Sequence, residues 1–297
     1  MDTTSFIAKS ALNDYQLKAI ENLGVKFIEL QLLGNYTKLE KLQILYNSNI
    51  IPVNVHATLT SSYDDWDTVF LNALTESKSS KQVLKFFNAC EVAQQLATHY
   101  NRNITLVLHN GLSYLNWRSI SCLRKELVHT FEYVLKHYPD ITFAIENVIP
   151  MCREGAMPED APYICDYLNK ELNTNRFQLC IDTCHVNITA DYIKRCCTPS
   201  MVGYSRNVVL ADYIRQARLF GVDINTIHFN YSIGNGDTDE THSTGFTVND
   251  KAKADFIEWY NLLQECCSDA KLVLELKETN YKTYSVLEEN LKFFESL

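Results

Sequence analysis

The chain has 297 residues, 46% of them apolar and 21% charged, with only nine Gly and six Pro. That profile excludes disordered and collagen-like chains and supplies a sizeable core. A formal net charge of −9 argues against broad attraction to nucleic acid, although a polycationic metal centre with a few local cations would still accept a phosphodiester.

Short runs rich in β-branched and aliphatic residues alternate with helical periodicity along the whole length, giving eight strand–helix pairs. The first strand is expected at Ser5–Ala8, followed by a helix over Asp14–Leu23 that stops at Gly24. A second strand, Lys26–Leu32, precedes a short helix at Lys38–Tyr46. The third, Ile51–His56, closes on a histidine. Over Ser80–Tyr100, Val83, Phe87, Cys90, Ala93 and Ala97 share one helical face. Strand four, Ile104–His109, again ends in histidine, and Ile120, Leu123, Leu127, Phe131 and Val134 mark the helix after it. Strand five, Ile141–Glu146, ends in a carboxylate and leads to a helix at Pro162–Leu172. Strand six, Phe177–Asp182, runs into Asp182-Thr-Cys-His185.

The long segment Val186–Asn207 reads as a loop of the kind that often forms a functional lid. After it come a helix at Val208–Phe220 and strand seven, Thr226–Asn230, carrying His228. A glycine-flanked acidic turn follows, with Asp237, Asp239, Glu240 and His242. A helix at Ala254–Glu265, strand eight at Leu272–Leu276 with Glu275, and a helix at Ser285–Phe294 complete the chain. Eight βα units imply a single-domain α/β fold over residues 1–297, a (β/α)₈ TIM barrel. No G-x-G-x-x-G or G-x-x-x-x-G-K-[ST] segment follows any strand, which removes the usual reason for an open nucleotide-binding sheet.

In a barrel, the last residues of the strands converge on the catalytic face. Here they are imidazoles and carboxylates. Taken singly, each has a bland reading as a satisfied polar group or a helix cap. Together they do not, because five of the eight histidines fall at strand ends or in their loops, and carboxylates gathered there repel unless a cation neutralises them. Mixed nitrogen and oxygen donors suit zinc, manganese, iron or cobalt. His99, His129 and His137 lie on expected helices and are given no function. The ten cysteines include the adjacent pairs Cys196-Cys197 and Cys266-Cys267, neither forming a C-x-x-C motif, and are read as reduced thiols. Met1-Asp-Thr-Thr-Ser shows no basic region followed by an apolar run, and no stretch approaches the roughly 18 apolar residues of a membrane span, so a cytoplasmic location is expected.

The segment Cys180-Ile-Asp182-Thr-Cys-His185 resembles the endonuclease IV branch (AP endonuclease family 2) of the xylose isomerase-like barrels, and the resemblance extends over nearly the whole chain in topology. It implies a hydrolase with a trinuclear zinc site that cleaves DNA at abasic sites, a DNA-repair activity. Carried over residue by residue, His56 and His109 hold one metal, and Glu146 bridges it to a second bound also by Asp182, His228 and Glu275. A third takes His185, Glu240 and His242. The family has Asp-x-His where this chain has Glu240-Thr-His242, so a longer carboxylate, or Asp239 or Asp237, must serve. The ions would activate water and neutralise phosphate charge, with Glu146 or Glu275 orienting the nucleophile.

The alternative is a one-metal sugar or sugar-phosphate isomerase or epimerase of the same superfamily, which needs two glutamates, an aspartate and a histidine. Glu146, Asp182, His228 and Glu275 satisfy that too, with a single manganese or cobalt ion in place of several zinc ions. The substrate is then a small sugar or phosphoester. The substrate-binding candidates are Tyr63, Arg153, Tyr192, Lys194, Arg195 and Arg206. His56, His109 and His242, which a one-metal isomerase has little need to place around its ion, favour phosphoester hydrolysis; DNA is a less secure inference than phosphoester, because His56-Ala-Thr-Leu59 lacks the aromatic residue that DNA-binding members carry after this histidine.

Overall fold

The structure is a computed structural model that describes residues 6–33, 37–59, 69, 71–74, 80–113, 121–150, 156–196, 205–233 and 243–297. Eight strands close into one parallel barrel in sequence order: β1 (Ile7–Ala11), β2 (Phe27–Leu33), β3 (Ile51–Leu59), β4 (Ile104–His109), β5 (Ile141–Glu146), β6 (Phe177–Asp182), β7 (Ile224–His228) and β8 (Lys271–Leu274). Closure comes from β1 pairing with β8, in the register Ala8 with Leu274. Every strand therefore has two neighbours, and no edge is left open.

The helices are α1 (Asp14–Asn22), the short α2 (Gln43–Tyr46), α3 (Ser80–Tyr100), α4 (Ser121–His137), α5 (Asp160–Glu171), α6 (Thr183–Cys196), α7 (Arg206–Phe220), α8 (Asp250–Cys266) and α9 (Ser285–Glu295). Local chemistry sets their ends. Asn13 accepts from the Tyr15 amide at the start of α1, Ser205 from Val208 before α7, and Asn249 from Ala252 before α8. Gly221 stops α7 in the left-handed region, at φ 66°.

Strand alternation sorts the side chains into two cores. Outward residues such as Ile28, Leu30, Leu106, Leu108, Phe143, Leu179 and Ile181 join the helix faces in one large apolar layer between sheet and helices. Phe131 of α4 sits in it, with ring centroids 5.2 Å from Phe143 and 4.8 Å from Phe177. Among the described residues, the other apolar clusters are small, Ile7, Val53 and Val273 with Phe27 packed against them, and Val107, Ala144 and Cys180. The rest of the barrel's inside is polar. Lys271 donates to Thr105 at 2.7 Å and Asn54 at 3.1 Å, and Asn54 donates to Thr226. Such groups, where branched aliphatic residues are usual, are tolerated because they satisfy one another.

The segment after His185 differs from expectation. Val186–Cys196 is helical, the body of α6, not a loop. The reason lies in Asp182, whose Oδ1 accepts the His185 amide at 2.8 Å and so starts the helix directly off the strand. His99 and His137 stack on Tyr46 and Tyr133 on the helical layer, away from the strand ends.

Candidate metal centre

The ends of β4, β5 and β6 bring His109, Glu146 and Asp182 together with His56, which lies inside β3 because that strand runs on to Leu59, past its expected end, and β7 adds His228; all are buried. Glu275 follows directly on β8. Among the described residues four groups of donor atoms lie within 4.8 Å of one another: Glu29, His56 and His228; Glu146, Cys180 and His228; and two further sets that share Glu146, namely His56, His109 and Glu146, and Glu146, Asp182, His228 and Glu275. Glu146 turns a different oxygen to each. Its Oε2 lies 3.1 Å from His56 Nε2 and 3.6 Å from His109 Nε2, while Oε1 lies 3.3 Å from His228 Nδ1.

Asparagines frame these residues. Asn147 accepts the Asp182 amide at 2.7 Å, and its carbonyl faces His185 Nδ1 at 2.7 Å. Asn230 donates to Asp182 Oδ2 at 3.1 Å and accepts the Cys184 amide at 2.8 Å. Asp182 thus does two things at once: one oxygen caps α6, and the other faces His228 Nδ1 at 3.7 Å. The helix-cap and metal-ligand readings of this carboxylate are compatible because they use different atoms.

The imidazoles report what the cluster needs. His56 Nδ1 lies 2.9 Å from the Ala57 carbonyl, which can only accept, so Nδ1 carries the proton and Nε2 is left facing a carboxylate. His228 faces carboxylates on both nitrogens, Glu29 at Nε2 and Glu275 at Nδ1. Burial opposes its charge, yet the neighbouring Cys180 and the carboxylates of Glu29, Glu146 and Glu275 outweigh that and hold its pKa well above the usual value. Burial pushes His109 down to about 3, so its imidazole is uncharged at neutral pH.

Burial also opposes ionisation of Glu146 and Glu275. His228 and His109 hold Glu146 well below the ordinary carboxylate range, and Lys9 and His228 do the same for Glu275. Glu275 Oε2 is a buried oxygen without an aligned hydrogen bond. A cation fits this donor set, since it satisfies both that oxygen and the inward-facing imidazole nitrogens. Cys180 adjoins the cluster, but burial lifts its thiol to about 12, which leaves it a poor thiolate donor.

Two members of the cluster have no counterpart in the sequence-based ligand set, Lys9 on β1 and Glu29 on β2. Lys9 Nζ lies 2.6 Å from Glu275 Oε1, and Glu29 Oε2 lies 3.1 Å from His228 Nε2. The available signal was a charged residue in the middle of an otherwise aliphatic buried strand. Of the other candidates, Glu240, His242, Asp237, Asp239, Tyr63 and Arg153 lie outside the described residues. His185 sits beside the centre, its Nδ1 3.6 Å from Glu146 Oε1. Arg206 pairs with Asp191 at 3.2 Å and donates to the Tyr231 hydroxyl at 3.0 Å, whereas Tyr192, Lys194 and Arg195 are exposed near the end of α6.

A closed parallel barrel with buried imidazoles and carboxylates near its strand ends defines a TIM barrel with candidate metal-ligand clusters. Within that class the chain belongs to the xylose isomerase-like TIM barrel family, whose model matches residues 17–297. Among solved structures it is similar to a D-tagatose 3-epimerase-like protein, at 15% identity and TM-score 0.60 over 98% of this chain and 99% of that one. It is also similar to a D-allulose 3-epimerase from Methylomonas sp., at 13% identity and TM-score 0.56 over 98% and 96%. An AP endonuclease, family 2, from Brucella melitensis is similar at 14% identity and TM-score 0.55 over 98% of both chains. No curated protein sequence matches the chain. Among the described residues, no helix is long and apolar enough to cross a membrane.

Proposed function

We propose that this barrel is a divalent-metal-dependent sugar isomerase or epimerase acting on a polyhydroxy aldehyde or ketone. The observation that carries the reading is the buried set Glu146, Asp182, His228 and Glu275, two glutamates, an aspartate and a histidine with donor atoms within 4.8 Å. An ion held by these four would polarise a substrate carbonyl and stabilise the negative charge that develops on its oxygen. The proton work falls to the chain. Glu146 and Glu275 are both held ionised, so either carboxylate accepts the proton from the carbon beside the carbonyl. They enter from different sides of the barrel, at the end of β5 and just past β8, so one can take the proton from one face of the substrate while the other, once it has itself taken a proton from solvent, delivers that proton to the opposite face. The likeness to two 3-epimerase-type structures supports the same reading.

A phosphodiester hydrolase of the endonuclease IV type is the second reading, and one observation favours it. His56, His109 and the second oxygen of Glu146 form another donor group that a one-metal enzyme has little need for. The test is to load the protein with Mn²⁺ or Co²⁺ and incubate it with ketohexoses in D₂O, following deuterium at the carbons beside the carbonyl by NMR. An abasic-site oligonucleotide with a chelator control runs in parallel. Solvent deuterium uptake without strand cleavage is the expected result. Chelator-sensitive cleavage without exchange would overturn the first reading in favour of the second.

A further inference from the structure

The strands β1 and β2 place a lysine and a glutamate against the candidate ligands, and their contacts close on themselves. Lys9 Nζ lies 2.6 Å from Glu275 Oε1 and 3.7 Å from Glu29 Oε1. Glu29 Oε2 lies 3.1 Å from His228 Nε2, and His228 Nδ1 lies 2.9 Å from Glu275 Oε2. Lys9, Glu275, His228 and Glu29 therefore form a four-membered ring of alternating charge. Each carboxylate in it turns one oxygen to the ammonium and the other to the imidazole. Glu29 and His228 are fully buried and Lys9 nearly so, so these contacts are little screened by solvent.

We propose that Lys9 and Glu29 are positioning residues for the metal centre, an assignment that rests on the metal-site reading above. Glu29 keeps the His228 proton on Nε2, which leaves Nδ1, the nitrogen facing Glu146, Asp182 and Glu275, as the donor. Lys9 occupies Oε1 of Glu275, so this glutamate offers an ion Oε2 alone. The two residues act in opposite senses on affinity. Glu29 strengthens the imidazole as a donor, whereas Lys9 withholds an oxygen and sets a positive charge beside the incoming cation.

Opposite senses give a test that a merely structural ring does not pass. Co²⁺ binding to the full chain is measured by calorimetry and by the visible absorption of the bound ion, with circular dichroism confirming the fold of each variant. In Lys9→Met, affinity rises at least about tenfold, and the Co²⁺ absorption weakens as Glu275 supplies its second oxygen. Lys9→Gln, which keeps a donor for Glu29 and removes only the charge, raises affinity in the same direction and serves if the methionine variant does not fold. In Glu29→Gln, affinity falls about 10–100-fold. A loss of affinity in both Lys9 and Glu29 variants, or no change in either, overturns the proposal while leaving the metal site standing. A native chain that binds no Co²⁺ removes the metal site itself.

Discussion

A divalent ion entering the Glu146, Asp182, His228 and Glu275 group has to displace a proton, and the displacement sets a measurable pH dependence. His228 Nε2 is engaged by Glu29, so Nδ1, the nitrogen 2.9 Å from Glu275 Oε2, is the one that would hold an ion. In the metal-free fold, burial works against the imidazolium, but the surrounding carboxylates prevail and the pKa stands well above the usual histidine value. With a raised folded pKa, this histidine's contribution to metal-free stability is full below the unfolded value and is lost as pH rises through the folded one. The metal-bound chain lacks that contribution. The gain from metal therefore grows with pH, by about tenfold in affinity, or about 1.4 kcal/mol, per unit.

An ion present at about a thousand times its dissociation constant adds about 4 kcal/mol to stability. With an unfolding entropy of about 2 cal/mol/K per residue, a chain of 297 residues gains about 7 °C in Tm, and each pH unit is worth about 2 °C of that. The assay is thermal unfolding with excess Mn²⁺ and, separately, with EDTA, at about pH 6, 7 and 8. The difference between the two Tm values at each pH is the quantity to follow. A difference that is equal at all three, or largest at the lowest, refutes proton displacement at His228. No difference at any pH refutes the metal site.

Asp182→Asn keeps the oxygen that caps α6 but loses the carboxylate charge, so metal affinity measured by calorimetry falls at least about tenfold while Tm without metal changes by only a few degrees. Arg176 donates to the carbonyls of Ile141 at 2.6 Å, Leu135 at 3.2 Å and Tyr138; Arg176→Met, which strands all three, costs about 2–4 kcal/mol in urea unfolding. Burial, with Arg102 adding to it, brings Lys271 down to about 8. Its folded pKa is depressed, so the cost of charging it is full below about pH 8 and is relieved as pH climbs towards the unfolded lysine value of about 10.4. Native stability should gain on Lys271→Met between about pH 8 and 10 by urea unfolding, and parallel curves would count against the assignment. His109→Ala removes a neutral donor from the second group alone; under the one-ion reading, metal content by elemental analysis stays at one per chain, whereas a higher content in the native chain that drops by one ion in the variant supports the hydrolase reading.

Three candidate positions were legible because His109, Glu146 and Asp182 each close an aliphatic run. Ile104–His109, Ile141–Glu146 and Phe177–Asp182 are strands with the expected bounds, and their terminal residues meet. Lys9 and Glu29 were not legible as partners. Glu29 reaches His228 across 199 residues of sequence, a contact that closure of the barrel creates and no local pattern announces. A bulge in β3 adds to this, shifting its register against β2 between Ile28 and Glu29. Helix α6 was missed for a local reason, since Thr, Asn and Cys are indifferent helix formers and the start of the helix depends on the side chain of Asp182.

Charge links the number of ions to the class of substrate. Among the described residues, the interior cluster contains four carboxylates, Glu29, Glu146, Asp182 and Glu275, all held ionised, and one ammonium, Lys9. With neutral imidazoles the cluster carries three negative charges. One divalent ion leaves it with one, a centre that accepts a neutral sugar and repels a phosphodiester; two ions make it positive by one and reverse that preference. Lys9 shifts the balance, because without it a second ion would only bring the centre to neutrality. The ammonium on β1 therefore makes the occupancy of the His56–His109 group decisive for substrate. With a formal charge of −9 on the chain as a whole, the one-ion state is the one in which centre and surface alike turn nucleic acid away.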